Sequence, residues 1–211
     1  MKRLRAALAA LAMSACSNAS PPPPAEQTRT PPPVSKPAAP GTVSGTAAAA
    51  TGGAVIVVLE PATPRESQPQ SEAPVMDQVG QTFGPAVLLV RTGQPVEFRN
   101  SDDTLHNVHV SNEETRADTF NVAIPTGTSY TFKFPADGFY HVGCDIHPAM
   151  AAEILSTSTP YATLADADGR FAFDDVAPGA YRLTVYAGGR KTERDVEMKG
   201  DPVTVDLRSG T

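Results

Sequence analysis

Residues 143–150 read Gly-Cys-Asp-Ile-His-Pro-Ala-Met, which spaces the thiol of Cys144, the imidazole of His147 and the thioether of Met150 three residues apart. A second imidazole, His106, stands upstream in the run Asn-Ser-Asp-Asp-Thr-Leu-His-Asn-Val at 100–108. Two imidazoles, one thiolate and a weak thioether form the donor set of a blue-copper electron-transfer site. Soft sulfur donors favour Cu(I), imidazoles hold both oxidation states, and the mixture suits an ion that must change state with little rearrangement. Singly, each residue has a plainer role. Cys144 would be a small buried hydrophobe, either histidine a polar strand end, and Met150 a core filler. Together, at this spacing, they point to one metal ion.

Two further histidines are weaker candidates. His109 lies three residues from His106 and His141 three before Cys144, which puts each on the opposite face of its strand. Either stands as a fifth or substitute ligand only. A nucleophilic Cys/His pair is the competing chemistry. It needs a third, orienting group that the sequence does not display, and it leaves an imidazole and a thioether without a task. The chain is therefore expected not to be an enzyme.

The elements that must position these donors read as β-strands. Short runs at 75–78, 86–90, 96–100, 107–111, 120–124, 129–134, 138–144 and 151–156 are separated by turn residues such as Gly93, Asn112 and Pro125-Thr126-Gly127. In Ser129-Tyr130-Thr131-Phe132-Lys133-Phe134 the aromatics alternate, the period of a half-buried strand. Eight strands over this span predict a Greek-key β-sandwich, with Cys144 ending one strand and His106 opening another. No amphipathic helix is evident.

Here the motifs become specific. Cys144-x-x-His147-Pro148-x-Met150 resembles the ligand loop of amicyanin-type cupredoxins, and Asp102-x-x-x-His106-Asn107-Val108 resembles the first-histidine strand of plastocyanin and its relatives. The resemblance covers about 74–157. It implies one type 1 copper held by His106, Cys144 and His147, with Met150 as the long axial ligand. It also implies that Asn107 ties the two ligand loops together and that His147 lies in an apolar port for electrons. Asp145-Ile146 after the cysteine departs from amicyanin, which leaves the potential and the docking surface open.

The flanks resemble a second module. Gly41-Thr42-Val43-Ser44-Gly45-Thr46 with the apolar run 54–59, and Asp166-x-Asp168-Gly169-Arg170-Phe171 with Pro178-Gly179-x-Tyr181-x-Leu183, resemble the two halves of a carboxypeptidase regulatory-like domain, a small transthyretin-like β-sandwich. The expectation is that 41–60 and 159–211 form this domain, with the cupredoxin domain, 74–157, inserted in one of its loops. The competing expectation makes the first run an extra strand on the cupredoxin. Asp166-Ala167-Asp168-Gly169 invites a calcium reading, but it lacks the further oxygen donors of an EF-hand, and a tight turn explains it.

At 211 residues the chain has room for these two small domains. Lys2, Arg3 and Arg5 precede a short apolar run ending in Met13-Ser14-Ala15-Cys16. This predicts a lipoprotein signal peptide over 1–15 and resembles a bacterial lipobox, implying lipidation of Cys16. The Pro-rich tract 16–40 reads as an extended spacer. Cys144 is then the sole remaining thiol of an exported chain, free for metal. Net charge is −6, and no basic patch interleaved with aromatics appears, so nucleic acid is not an expected partner.

The expectation is an all-β electron carrier in the periplasm or cell envelope, lipid-anchored, with Ser17 after the lipidated cysteine suggesting the outer membrane, and with a redox protein as partner. The alternatives are a copper storage, delivery or sensing protein without electron transfer, and a structural module with a degenerate site.

Overall fold

The computed structural model describes residues 39–48, 53–65 and 67–208; Cys16, the leader and most of the proline-rich tract lie outside them. All regular elements among the described residues are strands. In chain order they begin with β1 (Gly41–Ala47) and β2 (Val55–Pro61). There follow β3 (Val75–Val79), β4 (Thr82–Gly84), β5 (Val87–Arg91), β6 (Pro95–Asn100), β7 (His106–Asn112) and β8 (Asp118–Ile124). Next come β9 (Ser129–Lys133), β10 (Gly138–Gly143) and β11 (Ala151–Thr157). The last five are β12 (Ala162–Leu164), β13 (Arg170–Val176), β14 (Gly179–Ala187), β15 (Arg190–Met198) and β16 (Val203–Leu207).

Strands β3 to β11 make a central sandwich. One sheet has the order β4-β3-β6-β9 and the other β5-β11-β10-β7-β8, so neighbours such as β11 and β5 are joined only by crossings between sheets, the Greek-key pattern. Period-2 alternation sends Val108 and Val110, Tyr140 and Val142, and Ala152 and Ile154 into one core with Met76, Phe98 and Phe134. Burying each large apolar side chain in it contributes about 2 kcal/mol. Strand β4 has no counterpart in the sequence reading. It is three residues long with only Phe83 buried, too short to show a period.

The remaining strands form a second, split sandwich with sheets β13-β1-β16 and β12-β2-β14-β15. β2 pairs with β12 and β14, and with no strand of the central sandwich. The chain thus leaves the split sandwich after β2 and returns at β12. Its two crossings run side by side: the Ser67 hydroxyl donates to the Ser158 carbonyl at 2.5 Å, and the Thr159 hydroxyl to Leu59 O at 2.8 Å. Gly45 is required where β1 meets β16, because a Cβ there would lie 2.2 Å from the Val205 carbonyl oxygen and 2.7 Å from the Phe171 ring. Ile56, Val58, Ala162 and Tyr186 pack on Val87, Leu89, Phe139 and Leu155, the outward residues of β5, β10 and β11.

The acidic turn does local work. Asp166 Oδ1 accepts the N–H groups of Asp168 and Arg170, Asp168 pairs with the Arg170 guanidinium, and Gly169 takes φ of 79°. Tyr181 donates its hydroxyl to Ala177 O at 2.7 Å, a tyrosine corner.

Candidate metal centre

Register brings the donors together. β10 lies between β7 and β11, with Gly143 opposite His109 on one side and Ala151 on the other. The loop leaving β10 at Cys144 therefore passes over the start of β7, where His106 and Asn107 stand. Met150 N–H donates to His147 O at 2.9 Å, which closes the loop as a turn before β11.

Within this loop end, His106 Nδ1 and His147 Nδ1 are 2.9 Å apart, and Cys144 Sγ lies 3.9 Å from each. Among the described residues these three form the one group of three or more His, Cys, Asp or Glu donors within 4.8 Å of one another. A triangle with those sides has its centre about 2.1 Å from each corner, the length of metal–nitrogen bonds and close to that of metal–sulfur bonds. The residues fit an ion of copper's size with a soft/borderline donor preference. Met150 is buried in the same apolar cluster as Cys144. His106 and Cys144 are 0 % and 4 % exposed, while His147 is half-buried and is flanked in the chain by exposed Ile146, Pro148 and Ala149.

The orientation of His106 is fixed from outside. Its Nε2–H donates to Asp102 Oδ2 at 2.8 Å, because a carboxylate can only accept, and this leaves Nδ1 as a lone-pair donor. Asp102 is itself held by the amides of Gln81 (2.8 Å) and Gly80 (2.6 Å). The Gln81 amide, then His106 and the Gly80 amide, keep its carboxyl below the usual carboxylate range. Asp102 belongs to the histidine motif, but the motif alone assigns it no task. The signal was its place four residues before His106.

Asn107 joins the two ligand segments. Its Oδ1 accepts the N–H groups of Asp145 (2.8 Å) and Ile146 (3.4 Å) and the Cys144 thiol at 3.2 Å. Neither His109 nor His141 joins the donors. His109 is occupied on both ring nitrogens by Asp145 and Asp118, and His141 is exposed, its Nε2 lying 3.4 Å from where a Gly143 Cβ would stand.

Asp102 supplies the third, orienting group that a nucleophilic Cys/His pair needs. Access argues against that chemistry. Cys144 is almost fully buried, and His147 Nδ1 is nearer to His106 Nδ1 than the sulfur is.

Comparison with known proteins bears on both sandwiches. Residues 73–155 match the family model of copper binding proteins, plastocyanin/azurin family. The central sandwich is cupredoxin-like. Residues 148–211 match a different model, polysaccharide lyase family 4, domain II, an fn3-like module, where the sequence resemblance had implied a carboxypeptidase regulatory-like one. The residues that suggested the latter make an Asx-capped turn and a tyrosine corner, devices open to any small β-sandwich, so they do not select a family.

No curated protein matches the chain. Among solved structures, amicyanin from Paracoccus versutus is 16% identical at a TM-score of 0.38, over 47% of this chain and 97% of that one. A purple cupredoxin from Nitrosopumilus maritimus is 20% identical at 0.36, over 40% and 99%. The copper-containing nitrite reductase NirK from Thermus scotoductus SA-01 is 25% identical at 0.38, over 47% of this chain and 26% of that one.

Proposed function

We propose that the protein is a copper-binding electron carrier with one type 1 site in its cupredoxin-like sandwich. The observation that carries this reading is the convergence of His106 Nδ1, His147 Nδ1 and Cys144 Sγ on one point. Copper bound there would supply a one-electron couple. Asp102 keeps the His106 lone pair aimed at that point, and Asn107 holds the cysteine loop against the histidine strand, so the donors need not move between oxidation states. Burial of Cys144 and His106 excludes water. His147 gives the one partly exposed donor, flanked in the chain by exposed Ile146, Pro148 and Ala149, where a redox protein would dock. Met150, buried in the same cluster as Cys144, would lend a weak thioether donor. The chain itself would catalyse no reaction. Lipid on Cys16 would anchor the protein in the cell envelope, with the Pro-rich tract as spacer.

The test is copper(II) titration with an absorption scan and reductive cycling. A strong visible thiolate-to-copper(II) band that bleaches reversibly, and is lost in Cys144→Ser, supports the carrier. Tight Cu(I) binding with no such band would instead make the protein a store, carrier or sensor of the metal. Release of the protein from membranes by Cys16→Ser checks the anchor.

A further inference from the structure

Next to the ligand sulfur the chain carries a carboxylate with an unusual number of partners. Asp145 Oδ2 accepts Asn121 Nδ2 at 2.7 Å and Asn107 Nδ2 at 3.0 Å, and Oδ1 accepts His109 Nδ1 at 3.0 Å. Asn107 donates its second amide hydrogen to Asn121 Oδ1 at 2.8 Å. The two acceptors facing Nδ2 leave the Asn107 amide a single orientation, with its oxygen towards the Cys144 sulfur and the Asp145 and Ile146 amides. A rotated amide would set its NH2 against those N–H groups. His109 closes the network: its Nε2 faces Asp118 Oδ1 at 2.9 Å, so both ring nitrogens point at acceptors and both carry hydrogen. The result is a row of anion, cation and anion on the outward face of β7 and β8, with its inner end one residue from Cys144.

We propose that Asp145 is a positioning residue for the metal centre: through Asn107, Asn121 and His109 its carboxylate pins the cysteine–histidine loop to the outer face of the sheet, and its charge biases the site towards the oxidised ion. The geometry separates two effects. The hydrogen bonds fix where the loop lies, which needs no metal. The charge acts on the electron, because a nearby anion stabilises the more positive ion and a nearby cation opposes it. His109 therefore works in both senses, securing the anion while partly offsetting it.

The charge half rests on the copper reading, and the pinning half is measured without copper. In the metal-free protein, Asp145→Asn should speed amide hydrogen exchange at residues 145 and 146 at least tenfold, with Val142 and Ile154 unchanged as proof of an intact core. In the copper-loaded protein, Asp145→Asn should raise the midpoint potential and His109→Gln should lower it. Asp145→Glu, which keeps the charge and displaces the oxygens, should return the potential towards the parent while exchange stays fast. Unchanged exchange at residues 145 and 146 would overturn the proposal, as would potentials of Asp145→Asn and His109→Gln that move in the same direction. Should the parent protein bind no copper, the copper reading fails and the exchange result alone decides the pinning.

Discussion

The two sandwiches use the same polar residue types in opposite ways. In the split sandwich the acidic turn is satisfied locally: Asp166 caps amides two and four residues on, and Asp168 pairs with Arg170, all exposed. In the cupredoxin-like sandwich the two carboxylates beside the donors also reach groups distant in the chain. Asp102 holds the amides of Gly80 and Gln81 as well as His106, and Asp145 ties Asn107, His109 and Asn121. A local contact settles a turn. Long-range contacts freeze side chains from separate strands relative to one another, which is what a preorganised donor set requires. Carboxylates alone therefore do not mark the site; what distinguishes Asp102 and Asp145 is that they hold His106 and Asn107.

The sharpest way to break this comparison is to damage one sandwich and watch the other. Gly45→Val drives a Cβ against the Val205 carbonyl oxygen, a backbone atom that cannot yield, and should cost about 3 kcal/mol or more. Thermal unfolding measures the loss. If the two sandwiches are separable, the visible copper band survives to a higher temperature than the first transition; a single transition would show that they melt together.

A smaller effect sits at the centre itself. Asp102→Ala removes the acceptor for His106 Nε2–H and frees the ring to rotate, and should weaken copper affinity by roughly 10- to 100-fold. Competition with a chelator reads it. The matched change in the split sandwich, Asp166→Ala, should cost about 1 kcal/mol of stability through its lost turn hydrogen bonds and leave copper affinity unaltered. Equal effects of the two on affinity would erase the distinction between local and long-range carboxylates.

The smallest expected effect is a pH dependence. Asp145, then Asp118, hold His109 above its ordinary value, and His141 lines the same cleft. With the folded value raised, the protonated ring's contribution is complete below about pH 6.5 and is lost as pH rises through the folded value. For Asp145, held below its ordinary value by His109 and then Asn121, the contribution is present above about pH 4 and fades as pH falls through the folded value. Denaturant unfolding of the metal-free protein across this range should therefore show a shallow decline on the alkaline side that His109→Gln abolishes.

Much of this was legible before any coordinates. Alternation in residues 129–134 and 170–173 marks strands because side chains two apart share a face, and that rule is local. Three-residue spacing of Cys144, His147 and Met150 marks the loop for the same reason: nearby donors can be judged as a set. Strand β4 was not legible, since one buried phenylalanine in three residues carries no period. Nor was the family of the split sandwich, whose turn and corner residues serve many folds.

The sequence by itself determined the donor types and the strand periods, because each depends on neighbours a few residues apart, whereas the demand for glycine at 45 comes from Val205 and Phe171 across the fold. Only the tertiary structure decided that Asp102, and not another carboxylate, orients His106. It alone turned Asp145 and His109 towards each other across 36 positions of chain. Register between β7 and β10 sets those distances, and register is a property of paired strands that no single segment contains.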